Sequence, residues 1–225
     1  MRRMFGRIAD RYEIANRFMS LFQDGRWRKE GIRKLSVQSG DLILDAGAGT
    51  GDLTREILRQ YPTAKVVAVD LTSEMLQLAK ARSDSSQASW VIADALALPF
   101  KQDVFDGVIS GFLFRNLPDI TTGIQEQARV LKQAKRLVAV DTTPPQNNIL
   151  KPFIEFYIRF IVPVIGRVVS GQDLPYDYLS ESTRKHVSAE KLVELMRENG
   201  LEQVSFVRRT FGAAAIHTGK KPGAD

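Results

Sequence analysis

Hydrophobic and polar positions follow two different periods along the 225 residues, and the change comes near residue 40. In the first stretch, apolar side chains recur every three or four residues, which is the period of one helix face. They are Phe5, Ile8, Tyr12, Ala15, Met19 and Phe22. Asp24–Gly25 then predicts a turn, and Trp27 to Leu35 predicts a second short helix. We therefore expect N-terminal helices over residues 1–36.

Beyond residue 40, short apolar runs alternate with amphipathic stretches. The apolar runs predict five buried strands: Leu42–Ala46, Val66–Asp70, Ser89–Ile92, Phe105–Gly111 and Arg136–Asp141. The amphipathic stretches predict three helices: one that ends at Arg59, one at Ser73–Ala81 and one at Thr121–Leu131. This alternation is typical of a doubly wound, Rossmann-like α/β fold with a parallel sheet. Right-handed crossovers then bring the carboxyl ends of the strands, and with them the ligand cleft, to one edge.

Residues 144–187 break this alternation. Ile149–Gly171 is apolar, but four charged residues and two prolines interrupt it, so it lacks the run of about 20 apolar residues that a membrane span needs. We expect an inserted amphipathic helical cap over the cleft, with a pair of core helices as the alternative. The elements predicted after the cap are a helix at Ser188–Asn199 with Ser188 as N-cap, and a hairpin of strands at Val204–Arg209 and Ala213–Thr218. Together these elements predict a single domain over residues 1–225.

Composition excludes several kinds of chemistry. No cysteine is present, which excludes disulfides and thiolates, and two histidines are too few to favour a metal site. Hydrophobic residues make up 44% and charged residues 26%, as in ordinary globular proteins. The N-terminus opens with charges and builds no apolar secretion signal, which predicts a cytoplasmic protein.

The net charge of +6 is concentrated at one end of the chain. Residues 1–34 carry ten basic and four acidic side chains, a difference of +6, so the remaining residues balance to zero. Such a patch suits an anionic membrane surface or nucleic acid, although a solvated helix face has the same composition. Because the aromatic residues here lie on the apolar stripe, they are not arrayed for base stacking, and we expect no nucleic acid. We expect membrane contact at the inner face through residues 1–34 and 149–171, and a homodimer is left open.

The strongest chemical signal is the stretch "LILDAGAGTGDL". A buried strand ends in Asp45, and three alternating glycines precede a helix, so the backbone can approach a ligand closely. The dinucleotide fingerprint G-x-G-x-x-G needs a third glycine where Asp52 stands, and a carboxylate at a helix N-terminus repels a pyrophosphate. The loop therefore favours S-adenosylmethionine, which has no phosphate. The residues expected to border it are Asp45, Gly47, Ala48, Gly49, Thr50 and Gly51.

Two later strand ends predict the rest of the cofactor site. Asp70 ends the second strand and suits the two ribose hydroxyls, with an N-cap role as the alternative. Leu71 and Met75 are expected on the adenine face. After the third strand, Asp94 is expected to accept a hydrogen bond from the adenine amino group, with Ala95 beside the ring.

With these residues in place, the chain resembles the UbiE-type C-methyltransferases along nearly its whole length. The segments that carry the resemblance are "MFGRIADRYEIANRFMS", "WRK", "LDAGAGTGDL", "DALALPF", "FLFRNLPD", "YDYLSES" and "AIHTGKK". The resemblance implies a class I methyltransferase sheet, S-adenosylmethionine as cofactor, with Thr50 in contact with it, and methylation of a ring carbon of a demethylmenaquinone or a ubiquinone precursor. The substrate would then be a prenylated quinol.

The chain departs from the family pattern at several positions. A Pro-Gly-Gly turn is replaced by "QAK", and the acidic strand end is "VAVDTTPP". The family's Phe-Gly-Leu is here Phe112, Leu113 and Phe114, which adds bulk beside the cleft. Gly111 stands where relatives often have a small or hydroxyl residue, and we expect it to contact the cofactor.

Arg115 and Asn116 follow the fourth strand at the expected cleft edge. Arginine is too basic to be a simple general base, but its charge can lower the pKa of a ring hydroxyl or of a water that takes the proton, and Asn116 can orient the same oxygen. A salt bridge from Arg115 to Asp119 or to the cap is the structural alternative. Tyr12, Tyr176, Tyr178 and Phe112 are expected to hold the aromatic head group, with Tyr12 also a catalytic candidate; plain packing is the alternative for the tyrosines.

Other functions remain open at this point. The same fold could support O- or N-methylation of another hydrophobic or soluble small molecule. A third possibility is a cofactor-binding protein without catalysis. The apolar cap and the basic helix favour the quinol, because a long prenyl tail needs an apolar groove close to the membrane.

Overall fold

The structure, a computed structural model, describes residues 17, 20, 22–82, 87–144, 156, 160 and 187–223. Most of the predicted first helix and of the predicted cap therefore lies outside the described residues. Tyr12, Tyr176 and Tyr178 lie there too, so their proposed contacts stay predictions.

Seven strands form one mixed sheet in the order β3–β2–β1–β4–β5–β7–β6. They are β1 Leu42–Ala46, β2 Lys65–Asp70, β3 Ala88–Ile92, β4 Phe105–Gly111, β5 Leu131–Thr142, β6 Glu202–Arg209 and β7 Ala214–Lys220. The neighbouring pairs among β1 to β5 are parallel, and β7 runs antiparallel to both β5 and β6. This confirms the doubly wound sheet and its closing hairpin.

Five α-helices of the described segments accompany the sheet. They are α1 Asp24–Leu35, α2 Asp52–Gln60, α3 Ser73–Ala81, α4 Ile120–Val130 and α5 Ala189–Glu198. Ser188 caps α5 as predicted, since its side chain accepts a hydrogen bond from the backbone N–H of Lys191 at 3.2 Å. The predicted turn at Asp24–Gly25 is wrong, because α1 already begins at Asp24. The amide of Asp24 donates to the Ser20 hydroxyl at 3.3 Å, which allows the helix to begin earlier than its apolar residues indicate.

Both faces of the sheet are buried, which explains why its strands are almost continuously apolar. Alternate strand residues point to opposite faces, so Ile43 and Ile109 pack with Ile32 of α1, whereas Leu44 and Val108 belong to the cluster on the other face. The cluster that contains Leu44 and Val108 also includes the apolar sides of α4 and α5. The sheet is thus packed on both faces, and the loops at its edge follow directly from the packed strands.

The carboxyl ends of β1, β2, β4 and β5 meet at one edge of the sheet. The parallel register pairs Ala46 with Val69 and with Ser110, and Gly111 with Val140. The residues that follow these strands are therefore neighbours in space although far apart in the chain. This is the edge where the sequence predicts the cleft.

Candidate active site

The loop between β1 and α2 turns sharply and brings its backbone to the sheet edge. Gly47, Gly49 and Gly51 have φ angles of +73°, +55° and +83°, a region that favours glycine. The amides of Gly47 and Ala48 both donate to the carbonyl of Val69 at 2.8 Å, which fastens the loop to β2. A Cβ on Gly49 would meet nothing within 4 Å, so a ligand can approach its backbone directly.

A cavity of about 360 Å³ lies beside this loop, at the carboxyl edge. Its walls are the loop, the end of β2 with the start of α3, the segment after β3, and the turn after β4. The predicted cofactor residues that line it are Gly47, Ala48, Gly49, Thr50, Asp70, Leu71, Met75, Asp94, Ala95 and Gly111. The cavity is thus lined by residues from four separate parts of the chain.

Asp70 is held rigidly at the end of β2. Its Oδ2 accepts from the amide of Gly49 and its Oδ1 from the amide of Thr72, each at 2.8 Å. Burial raises the pKa of Asp70 above its ordinary value, and hydrogen bonds from the Thr72, Gly49 and Leu71 amides and from the Thr72 side chain oppose that rise. The carboxylate also lines the cavity, so its oxygens can accept hydrogen bonds from a ligand there.

The walls beyond Asp70 are mostly apolar. Met75 is buried, whereas Leu71 is 46% exposed, and both line the cavity together with Ala95. Asp94 is exposed, and its Oδ1 accepts from the amide of Leu96 at 2.9 Å. An apolar wall with one acid at its rim suits a purine ring and its amino group.

Two predicted loop residues do not line the cavity. Asp45 is fully buried under the loop, and its Oδ2 accepts from the Thr54 hydroxyl at 2.7 Å. Gly51 faces away from the ligand, because a Cβ there would lie 2.7 Å from the Trp90 ring. The structure therefore places both residues as supports of the loop, without direct exposure to the cavity.

Burial raises the pKa of Asp45 to about 7, the Thr54 hydrogen bonds oppose this rise, and the nearby Asp70 carboxylate adds to it. Between its ordinary value of 3.8 and about 7, the folded chain keeps a proton that the unfolded chain has lost. This group therefore lowers the free energy of unfolding by roughly 1.4 kcal/mol per pH unit across that range, and the loss is complete above it.

We expect Asp45→Asn to remove this pH-dependent decrease in the free energy of unfolding. The amide carries no charge at any of these pH values, and its oxygen can still accept from Thr54. In urea denaturation the variant should exceed the parent protein in stability at pH 8, by up to roughly 4 kcal/mol, and match it near pH 4. An equal difference between the two proteins at both pH values would contradict the assignment.

The turn after β4 carries the remaining candidates. Phe112 adopts the left-handed region with φ +58°, which is uncommon for an aromatic residue and typical of functional sites. Its amide donates to Val140 O at 2.7 Å, and its carbonyl accepts from Asn116 Nδ2 at 2.8 Å. Both Phe112 and Asn116 line the cavity. The Asn116 side chain therefore holds the turn in place and also borders the space for a ligand.

Arg115 lies behind this turn and is not among the cavity-lining residues. Its Nη1 donates to Thr142 Oγ1 at 3.1 Å, its amide donates to Asp141 Oδ2 at 3.2 Å, and its Nε lies 3.8 Å from Asp141 Oδ1. The predicted alternative partner, Asp119, instead caps α4 by accepting from the amide of Thr122 at 3.0 Å. Arg115 therefore pairs with the end of β5, and its guanidinium stands over the Phe112 ring at 5.1 Å.

Leu113 and Phe114 have different surroundings, although both depart from the family pattern. Phe114 is 1% exposed and belongs to the hydrophobic core. Leu113 lines the cavity and packs on the loop, since a Cβ on Gly47 would lie 2.7 Å from its Cδ1. Of the two, Leu113 is the residue that shapes the ligand space.

The sequence did not predict several other lining residues. They are Arg28, Asp52, Leu53, Val69, Thr72, Ala93, Leu96, Leu117 and Pro118. Arg28 could have been recognised from its position next to Trp27 on the helix. Trp27 is buried and lies near Phe112, so its neighbour in the sequence also lies close to the cavity. An arginine that follows a buried tryptophan on a helix is easily mistaken for a solvated charge.

The site fits S-adenosylmethionine and does not fit a dinucleotide. The positive-φ loop offers its backbone at Gly49, the Asp70 carboxylate lines the cavity, and the far wall is apolar. Asp52 lines the cavity at the N-terminus of α2, where a pyrophosphate would need positive charge. Fold and site together define a class I, S-adenosylmethionine-dependent methyltransferase.

The comparisons with known proteins then give the family. Residues 1–221 match the ubiE/COQ5 methyltransferase family, and the chain belongs to it. The ubiquinone/menaquinone biosynthesis C-methyltransferase of Desulfotalea psychrophila is 39% identical over 97% of this chain and 89% of its own. The demethylmenaquinone methyltransferases of Lactiplantibacillus plantarum and Thermotoga maritima are each 35% identical, over 97% and 96% of this chain and 94% of each relative. The protein is a methyltransferase with S-adenosylmethionine as methyl donor.

Solved structures support the fold. A methyltransferase in complex with the Trm112 activator of Haloferax volcanii matches with a TM-score of 0.69 and 20% identity, over 97% of both chains. A Haemonchus contortus phosphoethanolamine N-methyltransferase in complex with S-adenosylhomocysteine matches with a TM-score of 0.63 and 15% identity, over 83% of this chain and 50% of that one. Among the residues described here, no helix is long and apolar enough to cross a membrane.

Proposed function

We propose that this enzyme methylates a ring carbon of a reduced, prenylated quinone, a demethylmenaquinol-like acceptor, in quinone biosynthesis. The observation that carries the proposal is the match along nearly the whole chain to relatives named for this reaction. The match includes the turn after β4, whose Phe112 and Asn116 face the cavity. An aromatic side chain beside a methyl-donor site suits an aromatic acceptor.

S-Adenosylmethionine supplies a methyl group that its sulfonium has already activated, so the protein mainly aligns the acceptor and stabilises developing charge. Asp70 and Asp94 are proposed to hold the adenosyl part, and Phe112 and Leu113 to border the acceptor ring. Asn116 Nδ2 donates to the Phe112 carbonyl and so holds the backbone of this turn at the cavity wall. Tyr12, Tyr176 and Tyr178 remain further candidates for the head group.

Arg115 is proposed to supply positive charge behind the acceptor site. Removing the proton from the ring hydroxyl makes a phenolate, which pushes electron density onto the neighbouring carbon. The guanidinium is 5% exposed and lies over Phe112, so water screens its field only weakly. Asp141 offsets part of this charge and holds the side chain in place, which makes Arg115 a positioning and charge-stabilising residue.

The reaction is tested by supplying both substrates. Purified protein is incubated with S-adenosylmethionine and a reduced demethylmenaquinone with a short prenyl chain, and products are analysed by mass spectrometry. We expect one added methyl group per acceptor and an equal amount of S-adenosylhomocysteine. An acceptor that stays unmethylated, while the protein binds S-adenosylhomocysteine in the same buffer, would contradict the proposal.

Leu113 is expected to limit the size of the acceptor ring, because it fills the space between the glycine loop and the turn after β4. In Leu113→Ala, kcat/KM for a bicyclic quinol relative to a monocyclic quinol should rise about tenfold, as is typical when a few methyl groups are removed from a pocket. S-Adenosylmethionine affinity should stay within about twofold, a change of about 0.4 kcal/mol. An unchanged ratio would mean that the ring lies elsewhere.

The carboxyl edge is proposed to rest on an anionic membrane surface, where prenylated quinones are found. Phe211 is 72% exposed in the turn between β6 and β7, and Phe22 is 60% exposed just before α1. The turn and α1 are joined, because Trp27 Nε1 donates to Thr210 Oγ1 at 3.2 Å. Exposed aromatic residues beside a basic helix are typical of peripheral membrane contact.

Phe211→Ser tests this contact without disturbing the core. Binding to vesicles that contain phosphatidylglycerol is measured by co-sedimentation, with phosphatidylcholine vesicles as the neutral comparison. The parent protein should prefer anionic vesicles, and the variant should bind them about tenfold more weakly, since a phenylalanine side chain contributes about 1.5–3 kcal/mol when buried in an apolar phase. Equal binding of both proteins would exclude Phe211 from the contact.

A further inference from the structure

The turn between β6 and β7 has an unusual backbone for its residue types. Thr210 and Phe211 have φ angles of +48° and +55°, and Gly212 follows at +88°. A left-handed conformation is uncommon for any residue other than glycine, and it is an outlier for a β-branched side chain such as that of Thr210. Glycine would adopt it without steric cost, and strain that persists is concentrated at functional sites. A threonine at this position therefore points to a use for its side chain.

The side chain of Thr210 is joined to α1. Its Oγ1 accepts a hydrogen bond from Trp27 Nε1 at 3.2 Å. The residue before it is tied to the same helix, because Arg209 Nε donates to Glu30 Oε2 at 2.6 Å. Two consecutive residues of the turn thus contact α1, and together these contacts hold the strained backbone in place.

Trp27 connects Thr210 with the cavity wall. The tryptophan is 4% exposed and does not line the cavity, but its ring centroid lies 6.4 Å from that of Phe112, with the rings tilted by 59°. An indole has a single donor, which usually has a partner when the ring is buried. The hydrogen bond to Thr210 therefore selects the orientation of the indole that faces Phe112.

Phe112 is the residue of this series that reaches the cavity. Asn116 holds its backbone carbonyl, whereas its ring is positioned by its neighbours, Trp27 and the guanidinium of Arg115. The ring is 8% exposed and lines the cavity. Because protein interiors are close-packed, a change in the orientation of the indole is transmitted to the Phe112 ring.

We propose that Thr210 is a positioning residue for methyl transfer, which acts through Trp27 to hold the Phe112 ring against the acceptor. Thr210 does not line the cavity and belongs to the last hairpin of the chain. The inference rests on the proposed function in one respect, namely that Phe112 borders the acceptor ring. It gives the strained turn a role that is separate from the membrane contact of Phe211.

The experiment compares two substitutions at Thr210 on the full chain. Thr210→Val keeps the β-branched shape and removes the acceptor, whereas Thr210→Ser keeps the hydroxyl. With S-adenosylmethionine and a reduced short-chain demethylmenaquinone, Thr210→Val should lower kcat/KM for the acceptor about 10- to 100-fold, as a misplacement of about 1 Å does. Thr210→Ser should stay within about threefold of the parent protein.

The affinity for S-adenosylhomocysteine should stay within about twofold in both variants, since the glycine loop and Asp70 are held by contacts of their own. The indole N–H signals of the two tryptophans are followed by NMR. One of them should shift in Thr210→Val, which shows that the hydrogen bond is lost in a folded chain. Trp27→Phe removes the donor of the same bond and should give the same loss of kcat/KM if Thr210→Val fails to fold.

Thr218→Val is the matched control, because it makes the same substitution on the same hairpin. Thr218 Oγ1 is 3.0 Å from Ser205 Oγ, so this variant also loses a hydroxyl hydrogen bond, and Thr218 does not line the cavity. Its kcat/KM should equal that of the parent protein. An equal loss in Thr218→Val and Thr210→Val, or a parental kcat/KM in Thr210→Val despite the shifted indole signal, would overturn the positioning role and leave the proposed reaction intact.

Acceptor binding, measured by quenching of tryptophan fluorescence, separates the two proposals. A quinol that binds to the parent protein and is not methylated contradicts the proposed reaction. Weaker binding of that quinol to Thr210→Val than to Thr210→Ser would still support the positioning role. A quinol that does not bind to the parent protein at all would overturn both.

Discussion

Asp70→Ala is expected to lower the affinity for S-adenosylmethionine by about 100-fold, which corresponds to two charge-assisted hydrogen bonds of about 1.5–3 kcal/mol each, partly replaced by water. Asp70 is proposed to accept from both ribose hydroxyls. Its removal also leaves the amides of Gly49 and Thr72 without their acceptor and loosens the glycine loop. Calorimetric titration with S-adenosylhomocysteine measures the loss directly.

Asp94→Ala is the comparison for this prediction. Asp94 is exposed and accepts from the single amide of Leu96, so we expect a loss of about tenfold or less, in the range of one ordinary hydrogen bond. Both variants should unfold cooperatively, as followed by circular dichroism. If the affinity of Asp70→Ala stayed within about threefold of that of the parent protein, the ribose assignment would be removed. Two charge-assisted hydrogen bonds should contribute more than this to binding, even when water partly replaces them.

Arg115→Gln should lower kcat by about 100- to 1000-fold, the range found when a charge-stabilising donor is removed from an active site. The affinity for S-adenosylmethionine should change little, because Arg115 does not line the cavity. The lost charge normally favours the phenolate, so the variant should regain activity as the pH is raised. Steady-state rates between about pH 6 and pH 10, a range that spans the ionisation of a phenol, measure both effects.

Asp141→Asn separates this role from a structural one. It breaks the same buried pair but leaves the guanidinium charged, and the carboxamide oxygen of the variant can still accept from the Arg115 amide. If the charge acts on the acceptor, Asp141→Asn should keep kcat within about tenfold of the parent protein, since the stabilising charge is still present. If the pair only supports the fold, both variants should lose stability and activity together, with no recovery at high pH.

The sequence predicted the parts of the site that follow the strands directly. β1, β4 and α3 have the predicted bounds, because each is an uninterrupted apolar or amphipathic run with clear ends. The glycine loop was recognisable since its positive φ angles need glycine, and Asp70 since it ends a buried strand. The local sequence pattern is therefore sufficient to predict a site residue that lies directly at the end of a single strand.

Other residues could not be predicted, because their positions depend on contacts between distant segments. Arg115 pairs with Asp141 since the register aligns Gly111 with Val140, and sequence alone suggested the nearer Asp119. Phe114 enters the core because the turn rotates its ring away from the cavity, whereas Leu113 faces it. Each outcome follows from packing between β4 and β5 that no single segment encodes.

The position of the transferred methyl group tests the account most directly. S-Adenosylmethionine labelled with ¹³C in the methyl group is incubated with the enzyme and reduced short-chain demethylmenaquinone, and the product is analysed by carbon NMR. The account predicts one labelled signal of an aromatic C-methyl group, coupled to ring carbons. A labelled methoxy signal would identify an O-methyltransferase and contradict the proposed reaction, although the cofactor site would stand.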